Sequence, residues 1–313
     1  MNKIIAQKYA TISSGDNLRT FLSFDEYFKN KFGEKIAKLS LDGGFTCPNR
    51  DGTLSYEGCI FCSERGAGDF ACEPEVDLKT QIEIQKEVVG RKWKAKKFIA
   101  YFQNFTSTYC DPNRLYAMCE EVLKDESIVG ISLSARADTL SDDMLDVLED
   151  ISSKTFLWLE MGMQSVNEET IKLINRGYTH KVFDEKVREL KDRNIKFLVH
   201  IIFGLPFETE EYYIKSIEYV NRIHPFGVKI HSVYIQYDTP LYSYYLKHPF
   251  HIIERDEYVK TVAKSIVMLK DDIVIHRITG DPMKSKLFLP LWAKDKLKVI
   301  SLIDKELKEM RTK

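Results

Sequence analysis

The sequence predicts an α/β fold built on parallel strands. Short apolar runs alternate with longer amphipathic runs, each of six predicted strands is followed by helical sequence, and the chemically suggestive residues come directly after strands. Repeated strand-then-helix units give parallel strands that are joined by right-handed crossovers. Such units form a doubly wound sheet or a barrel, and the period of the pattern does not separate the two.

The predicted strands are short, β-branched and apolar. They are KIAKLSLDGG, KFIAYFQ, IVGISLS, TFLWLEMGM, KFLVHIIFG and VKIHSVYIQ. Pro112 opens one of the helices between them, and Ser141 is the predicted N-cap of the next helix, with acidic residues in its first turn. Asp138 is an alternative cap for that helix. In both arrangements of the strands, functional residues are expected in loops at the carboxyl ends of the strands.

Composition indicates an ordered globular protein. The 313 residues are 44% hydrophobic and 30% charged, which does not suggest a disordered or fibrous chain. The N-terminal residues lack the features of a secretory signal, and the longest apolar stretch, FLVHIIFGLPF, is too short to span a bilayer. We therefore expect a cytoplasmic protein, in which six cysteines point to a metal or to redox chemistry before disulfides.

Basic residues are concentrated in three segments although the net charge is −1. From His276 to Lys313 there are ten Lys or Arg against five Asp or Glu, and residues 1–40 carry seven against four. The third segment, RKWKAKK from Arg91 to Lys97, places Trp93 among five cations. Such segments are either solvated helix faces or contacts for the phosphates of a nucleic acid.

Three cysteines lie close together in GGFTCPNRDGTLSYEGCIFC, with the spacing C-x11-C-x2-C. A structural zinc site needs four ligands, and the remaining cysteines, Cys72, Cys110 and Cys119, form no second pair. A four-iron cluster that is held by three cysteines keeps one iron without a protein ligand, so three thiols are then a complete set. Zinc in an RNA-binding module remains an alternative.

Several motifs carry a resemblance to a known family. CPNRDGTLSYEGCIFC resembles the cluster loop of radical S-adenosylmethionine (SAM) enzymes in a longer-spaced variant, and MGMQSVNEETIKLINRGYTH and HIIFGLP are similar to motifs of the Elp3-like branch. KFGEKIAKLSLDGGFTCPNRDGT and VIHRITGDPMKSKLFLPLW resemble the bacterial radical SAM proteins of the YhcC/YtqA type. The resemblance implies a partial (β/α)6 TIM-like barrel with short N- and C-terminal extensions, a 4Fe-4S cluster and SAM.

The resemblance also implies roles for individual residues. Cys47, Cys59 and Cys62 are the expected catalytic cluster ligands, and SAM is expected to chelate the fourth iron. The glycines of the family's second-strand loop are replaced in QNFTST, which departs from the pattern, although its threonines match. Arg176 is expected to pair with the carboxylate of SAM, with a structural ion pair or cap as its alternative. The expected cofactor contacts are Asn104, Thr106, Ser134, Gln164, Arg176 and His200.

The predicted organisation has three parts: an N-terminal extension (1–35), the barrel with its cluster loop (36–270) and a basic helical extension (271–313). The resemblance implies cleavage of SAM to a 5′-deoxyadenosyl radical in the modification of tRNA wobble uridine, from carboxymethylaminomethyl to aminomethyl. The expected partners are tRNA and an electron donor such as flavodoxin or ferredoxin. A porphyrin-like small molecule is the alternative substrate.

Overall fold

The structure is a computed structural model that describes residues 21–66 and 71–312. Residues 1–20, which make up most of the predicted N-terminal extension and part of the first basic segment, lie outside the described residues. The strands are β1 (Ile36–Leu41), β2 (Lys97–Phe102), β3 (Ile128–Ala135), β4 (Phe156–Gln164), β5 (Lys196–Phe203), β6 (Gly227–Ser232), β7 (Ile235–Gln236), β8 (Val274–Arg277) and β9 (Leu287–Leu289).

Ten α-helices occur in the described part of the chain. They are α1 (Phe24–Phe32), α2 (Leu78–Trp93), α3 (Pro112–Leu123), α4 (Asp142–Lys154), α5 (Glu168–Leu173), α6 (His180–Asp192), α7 (Glu210–Ile223), α8 (Pro240–Lys247), α9 (Arg255–Met268) and α10 (Lys296–Thr312). The predicted cap of α4 is confirmed, because the Ser141 hydroxyl accepts a hydrogen bond from the Met144 N–H at 3.2 Å.

Seven strands form one sheet in the order β1-β2-β3-β4-β5-β6-β8, and β7 pairs with β9 in a small antiparallel ribbon. The predicted α/β fold and its six strands are confirmed. The pattern missed the seventh strand, β8, because it has only four residues and two of them, His276 and Arg277, are polar. This strand lies in the segment that was predicted as a helical extension, and the predicted domain boundaries stay predictions.

The contacts between residues divide the chain into two compact units. The first, here called the cysteine unit, contains Asp25–Met163 and Ile174–Leu198. The second, the C-terminal unit, contains Gln164–Leu173, Val199–Lys313 and the described residues up to Phe24. In the C-terminal unit, α9 supplies the fully buried Tyr258, whose hydroxyl donates to the Ile278 carbonyl at 3.1 Å.

Parallel register aligns the ends of the first three strands in the cysteine unit. Leu41 pairs with Phe102, and Phe102 pairs with Leu133, so β1, β2 and β3 end at the same edge. The apolar side chains on one face of β1, such as Leu39, are fully buried. Loops that follow these strands therefore emerge side by side, as parallel β/α folds require for a site at the carboxyl edge.

A buried carboxylate links the same strands on their other face. Glu160 of β4 is 3% exposed, and its Oε1 accepts hydrogen bonds from Lys38 Nζ at 2.6 Å and Ser132 Oγ at 3.0 Å. Its Oε2 accepts from the Tyr101 hydroxyl at 2.7 Å. The Lys38 ammonium also lies 4.8 Å from the centre of the Trp158 ring. One carboxylate thus has hydrogen-bond partners on β1, β2 and β3.

The helices of the described residues include none with the length and apolar character needed to cross a membrane.

Replacing Glu160 with alanine should destabilise the protein strongly. The change leaves the Lys38 ammonium largely buried without its carboxylate, which costs about 3 to 5 kcal/mol of unfolding free energy. The control is Glu121→Ala, which removes the acid of a surface pair with Lys124 and should cost less than about 1 kcal/mol. Urea denaturation of both variants measures the difference, and equal losses would show that the Glu160 network adds no stability.

Candidate active site

The loop after β1 is folded by its own backbone hydrogen bonds. The Cys47 carbonyl accepts from the Arg50 N–H at 2.7 Å, and the Cys59 carbonyl accepts from the Cys62 N–H at 3.0 Å. The Cys59 and Cys62 side chains share a hydrogen bond, and charge on Cys47 acts on Cys62. The three predicted thiols are therefore brought together, and all three are half-buried.

The Asn49 amide ties this loop to the Asn175–Gly177 turn of the same unit. Asn49 is fully buried, and its Nδ2 donates to the Asn175 carbonyl at 2.5 Å and lies 3.6 Å from Cys59 Sγ. The Cys59 thiol lies 3.5 Å from the same carbonyl. Within the described residues, Asn49 Oδ1 has no hydrogen-bond partner. Asn49 was not among the predicted site residues, although its position two residues after Cys47 was a signal.

Two arginines make the loop electropositive. Arg136 Nη1 lies 4.0 Å from Cys47 Sγ, and Arg50 Nη2 donates to the Ser63 carbonyl at 2.7 Å. A hydrogen bond from Cys62, followed by the Arg136 charge and the Asn49 amide, lowers the pKa of Cys59 to about 7, although burial acts in the opposite direction. A thiolate is the form of cysteine that binds metal ions and clusters.

Asp138 holds Arg136 and does not cap α4. The two side chains form a bidentate pair, with Nε to Oδ1 at 2.9 Å and Nη2 to Oδ2 at 2.7 Å. The Arg136 guanidinium also lies 5.1 Å from the centre of the Tyr178 ring. The alternative cap suggested for Asp138 is therefore wrong, because the Ser141 side chain takes that role.

Three predicted cofactor contacts lie at the carboxyl ends of two strands: Asn104 and Thr106 follow β2, and Ser134 is within β3. Asn104 is 1% exposed; its Nδ2 donates to the Asp42 carboxylate, and its Oδ1 has no partner within the described residues. The Thr106 N–H donates to the Thr46 carbonyl at 3.1 Å, directly before Cys47. Ser134 Oγ lies 3.0 Å from Ser107 Oγ. Asn104 and Thr106 thus contact the segment that leads into the cysteine loop.

Asp42 is a buried acid at the end of β1 that the sequence patterns did not single out. Its backbone N–H and carbonyl both bond the Gln81 side-chain amide, at 2.8 and 2.9 Å. Its Oδ1 accepts from the Gly44 N–H at 2.9 Å, and Arg65 lies 3.8 Å from its Oδ2. Its place just before the Gly43-Gly44 pair was the signal available. These contacts fix the entry to the cysteine loop.

Comparison with known proteins agrees with this geometry. The model of the radical SAM superfamily matches residues 47–220, and the model of the radical SAM C-terminal domain matches residues 225–309. The chain belongs to the radical SAM superfamily. It is 38% identical over 289 residues to the uncharacterized protein YtqA of Bacillus subtilis, covering 92% of this chain and 90% of YtqA. The predicted membership of the Elp3-like, YhcC/YtqA-type branch is confirmed.

Two further relatives extend the comparison. The structure of Elp3 from Methanocaldococcus infernus, with residues 1–46 deleted, aligns with a TM-score of 0.65 at 15% identity. The alignment covers 88% of this chain and 63% of the Elp3 chain, so it spans under two thirds of that protein and supports the predicted partial barrel fold alone. A probable threonylcarbamoyladenosine tRNA methylthiotransferase of Methanocaldococcus jannaschii is 31% identical over 99 residues, 31% of this chain and 23% of that protein.

The residues of this radical SAM protein fit the family's cofactors, a 4Fe-4S cluster and SAM. Three thiols in an electropositive loop are a suitable donor set for a cluster whose fourth iron stays open. In the described part of the chain, no three His, Cys, Asp or Glu side chains converge as they would on one metal ion. A 4Fe-4S cluster binds each cysteine through a different iron, so it does not need three side chains that converge on one point. The family's cofactors therefore replace zinc as the expected occupant of this loop.

Arg176 of this radical SAM protein directs its guanidinium toward the backbone. It is 2% exposed, and it donates from Nη1 to the Met163 carbonyl at 2.9 Å and from Nε and Nη2 to the Tyr178 carbonyl at 3.1 and 3.0 Å. Its guanidinium lies 4.4 Å from the centre of the Tyr178 ring. These hydrogen bonds to backbone carbonyls brace the fold, and the contact of Arg176 with SAM stays a prediction.

Gln164 and His200 belong to the C-terminal unit. Gln164 ends β4 with a φ of 59°, a left-handed backbone conformation that residues other than glycine rarely adopt. The His200 ring lies 5.4 Å from the His231 ring, centre to centre. Both residues stay predicted cofactor contacts.

The Gly177→Ala variant should lose both stability and cluster binding. Gly177 has a φ of +87°, and a Cβ there would lie 2.6 Å from Asn49 Oδ1, whereas Gly33, with a φ of +76°, has nothing within 4 Å. Gly33→Ala should therefore cost about 1 kcal/mol of strain, and Gly177→Ala about 3 kcal/mol. Denaturation and iron content after reconstitution measure both effects, and equal behaviour of the two variants would contradict the close packing of Gly177.

Glu208 should make stability depend on pH. Burial raises the pKa of this carboxyl above its ordinary 4.5, although the Ser165 hydroxyl donates to it at 2.6 Å. The native state then holds the proton more tightly than the unfolded state, so stability should fall as the pH rises from 4.5 to the folded pKa.

The Glu208→Gln variant should remove that decrease, and the Glu218→Gln variant, which changes an exposed acid, should keep it. Denaturation across this pH range is the measurement. A wild-type slope that persists in Glu208→Gln would assign the dependence to another group.

Proposed function

We propose that this radical SAM protein remodels the side chain of the tRNA wobble uridine, converting carboxymethylaminomethyl to aminomethyl. The observation that carries the chemistry is the electropositive three-cysteine loop. When bound, the cluster and SAM would supply a 5′-deoxyadenosyl radical to take a hydrogen atom from the methylene carbon of the carboxymethyl group. SAM would thereby be the two-electron oxidant of the N–CH2 unit, and water would release the carboxymethyl carbons as glyoxylate and leave the aminomethyl group. The choice of wobble uridine follows from the resemblance to the Elp3-like branch, and the partial match to a tRNA methylthiotransferase supports an RNA substrate.

The residues of the chain have distinct roles in this proposal. Cys47, Cys59 and Cys62 hold the cluster, while Arg136 and Asn49 stabilise the charge on the thiolates. Low polarity strengthens such contacts, because a charge in a buried loop is screened less than one in water. Asn104 has a buried carbonyl oxygen without a partner among the described residues, and this acceptor is available to an N–H donor of SAM.

Exposed basic and aromatic side chains on the cysteine unit support RNA as the partner. Trp93 is 47% exposed at the end of α2, and the Lys35 and Lys92 ammonium groups lie 4.9 and 5.3 Å from the centre of its ring. The neighbouring Arg91 and Lys94 are exposed as well. Aromatic rings stack on unpaired bases and cations contact phosphates, which together are typical of single-stranded RNA recognition.

The C-terminal helix adds a second basic surface. Val299, Ile303 and Leu307 of α10 are buried on one face, whereas Lys298 and Lys308 are exposed. The apolar face accounts for packing, so the lysines are left for solvent or for an acidic partner. An RNA stem is such a partner.

The deciding experiment is anaerobic reconstitution with iron and sulfide, then incubation with SAM, a reductant and tRNA that carries carboxymethylaminomethyluridine. Mass spectrometry should detect 5′-deoxyadenosine and, after digestion of the tRNA, aminomethyluridine. Cys59→Ala should abolish both products because it removes a cluster ligand. Cys110→Ala, which changes a half-buried cysteine outside the loop, should retain both.

The two products separate the parts of the proposal. Formation of 5′-deoxyadenosine with an unchanged wobble nucleoside would overturn the tRNA substrate and keep the radical chemistry. Activity retained in Cys59→Ala would overturn the assignment of the cluster ligands.

A further inference from the structure

A pocket in the C-terminal unit lies at the end of the last parallel strand. It has a volume of about 200 Å³, and its walls include the final residue of β8, Arg277, and the loop residue Thr279. Lys296, at the start of α10, closes another side, and Phe21, Ile278 and Ile300 supply apolar contacts. The volume is several times the ~30 Å³ that one water occupies in the liquid, so the pocket has room for a polyatomic ion.

The charge in this pocket is positive. Arg277 is half-buried, and the structure gives its guanidinium no hydrogen bond or ion pair with any described residue. Lys296 Nζ lies 2.6 Å from Asp281 Oδ2, so that lysine is balanced by an acid. None of the described lining residues is acidic. No described residue therefore compensates the Arg277 charge, and a guanidinium fork is suited to two oxygens of one anion.

The backbone adds to this positive potential. Helix α10 runs over Lys296–Thr312, and Lys296 and Ile300, from its first two turns, line the pocket. A helix N-terminus carries a partial positive charge and free N–H groups. Asp295 uses part of this capacity, because its Oδ1 accepts from the Lys298 N–H at 3.1 Å. The helix start and the Arg277 guanidinium are independent features that converge on one pocket.

We propose that this pocket binds a phosphate group through Arg277, Lys296 and the N-terminal turn of α10. Parallel β/α barrels frequently bind phosphate in the loops after their last strands, beside the N-terminus of a helix. If the proposed tRNA substrate is correct, the phosphate belongs to the RNA backbone, and this identification of the ligand rests on the proposed function. A small phosphorylated metabolite presents the same chemistry, and the salt dependence of tRNA binding distinguishes the two sources.

Calorimetric titration of the full-length protein with inorganic phosphate at low ionic strength tests the pocket. The wild type should bind phosphate. Arg277→Gln should weaken the binding at least about tenfold, because it removes hydrogen bonds between charged groups, which are stronger than those between neutral groups. Arg277→Lys should give intermediate affinity, since it keeps the charge and loses the fork. The control, Lys260→Gln, removes an exposed cation of α9 outside the pocket and should bind as the wild type does.

Since the Arg277 side chain makes no hydrogen bond or ion pair with the described residues, its replacement should leave the melting temperature unchanged, and Arg277→Lys gives a second folded variant. Absence of phosphate binding by the wild type would overturn the proposal. So would equal weakening in Arg277→Gln and Lys260→Gln, which would indicate attraction by net charge alone.

The salt dependence of tRNA affinity distinguishes the two sources of phosphate. If the pocket holds an RNA phosphate, the slope of log K against log salt should fall by about one in Arg277→Gln. An unchanged slope together with lost phosphate binding would assign the pocket to a small phosphorylated ligand. If the wild type binds no tRNA at all, the proposed function fails while the phosphate titration still decides the pocket.

Discussion

The hydrogen bonds of the Asn49 amide are the constraint on which the candidate site depends. One buried side chain joins the cysteine loop to the Asn175–Gly177 turn, and the same amide lies beside Cys59 Sγ. A loop with one glycine every few residues has many conformations in isolation, and fixing it costs conformational entropy. The bonds to Asn175 confine it, so the thiols are placed before any cofactor arrives.

The placement of the thiols also determines which positive charges act on them. Arg136 is held by Asp138 on one side and stacks on Tyr178 on the other, so its guanidinium stays near Cys47. The Arg176 guanidinium lies against the same Tyr178 ring and donates to two backbone carbonyls. Both arginines are buried, and their partners decide their roles: Arg176 donates to carbonyls, whereas Arg136 Nη1 lies 4.0 Å from Cys47 Sγ. A cluster of negative thiolates gains most from the guanidinium that remains aimed at it.

Much of the architecture was accessible from residue patterns. The alternation of strands and helices, the cap at Ser141 and the six strands were predicted, because each depends on local periodicity and side-chain chemistry. Strand β8 was not predicted, since four residues with two polar side chains carry too little periodic signal. The role suggested for Asp138 was wrong because a nearby arginine competes with the helix N–H groups for its carboxylate.

The sequence by itself determined the set of thiols, the order of strands along the chain and the family, since these depend on residue identity and spacing. The tertiary structure decided what each polar group faces. Asn49 and Asp42 became parts of the site, Arg176 bonded to carbonyls, and Arg277 was left in a pocket next to α10 with no ion-pair partner among the described residues. The reason is physical: hydrogen bonds and charge pairs join residues far apart in the chain, and only folding brings their partners within reach.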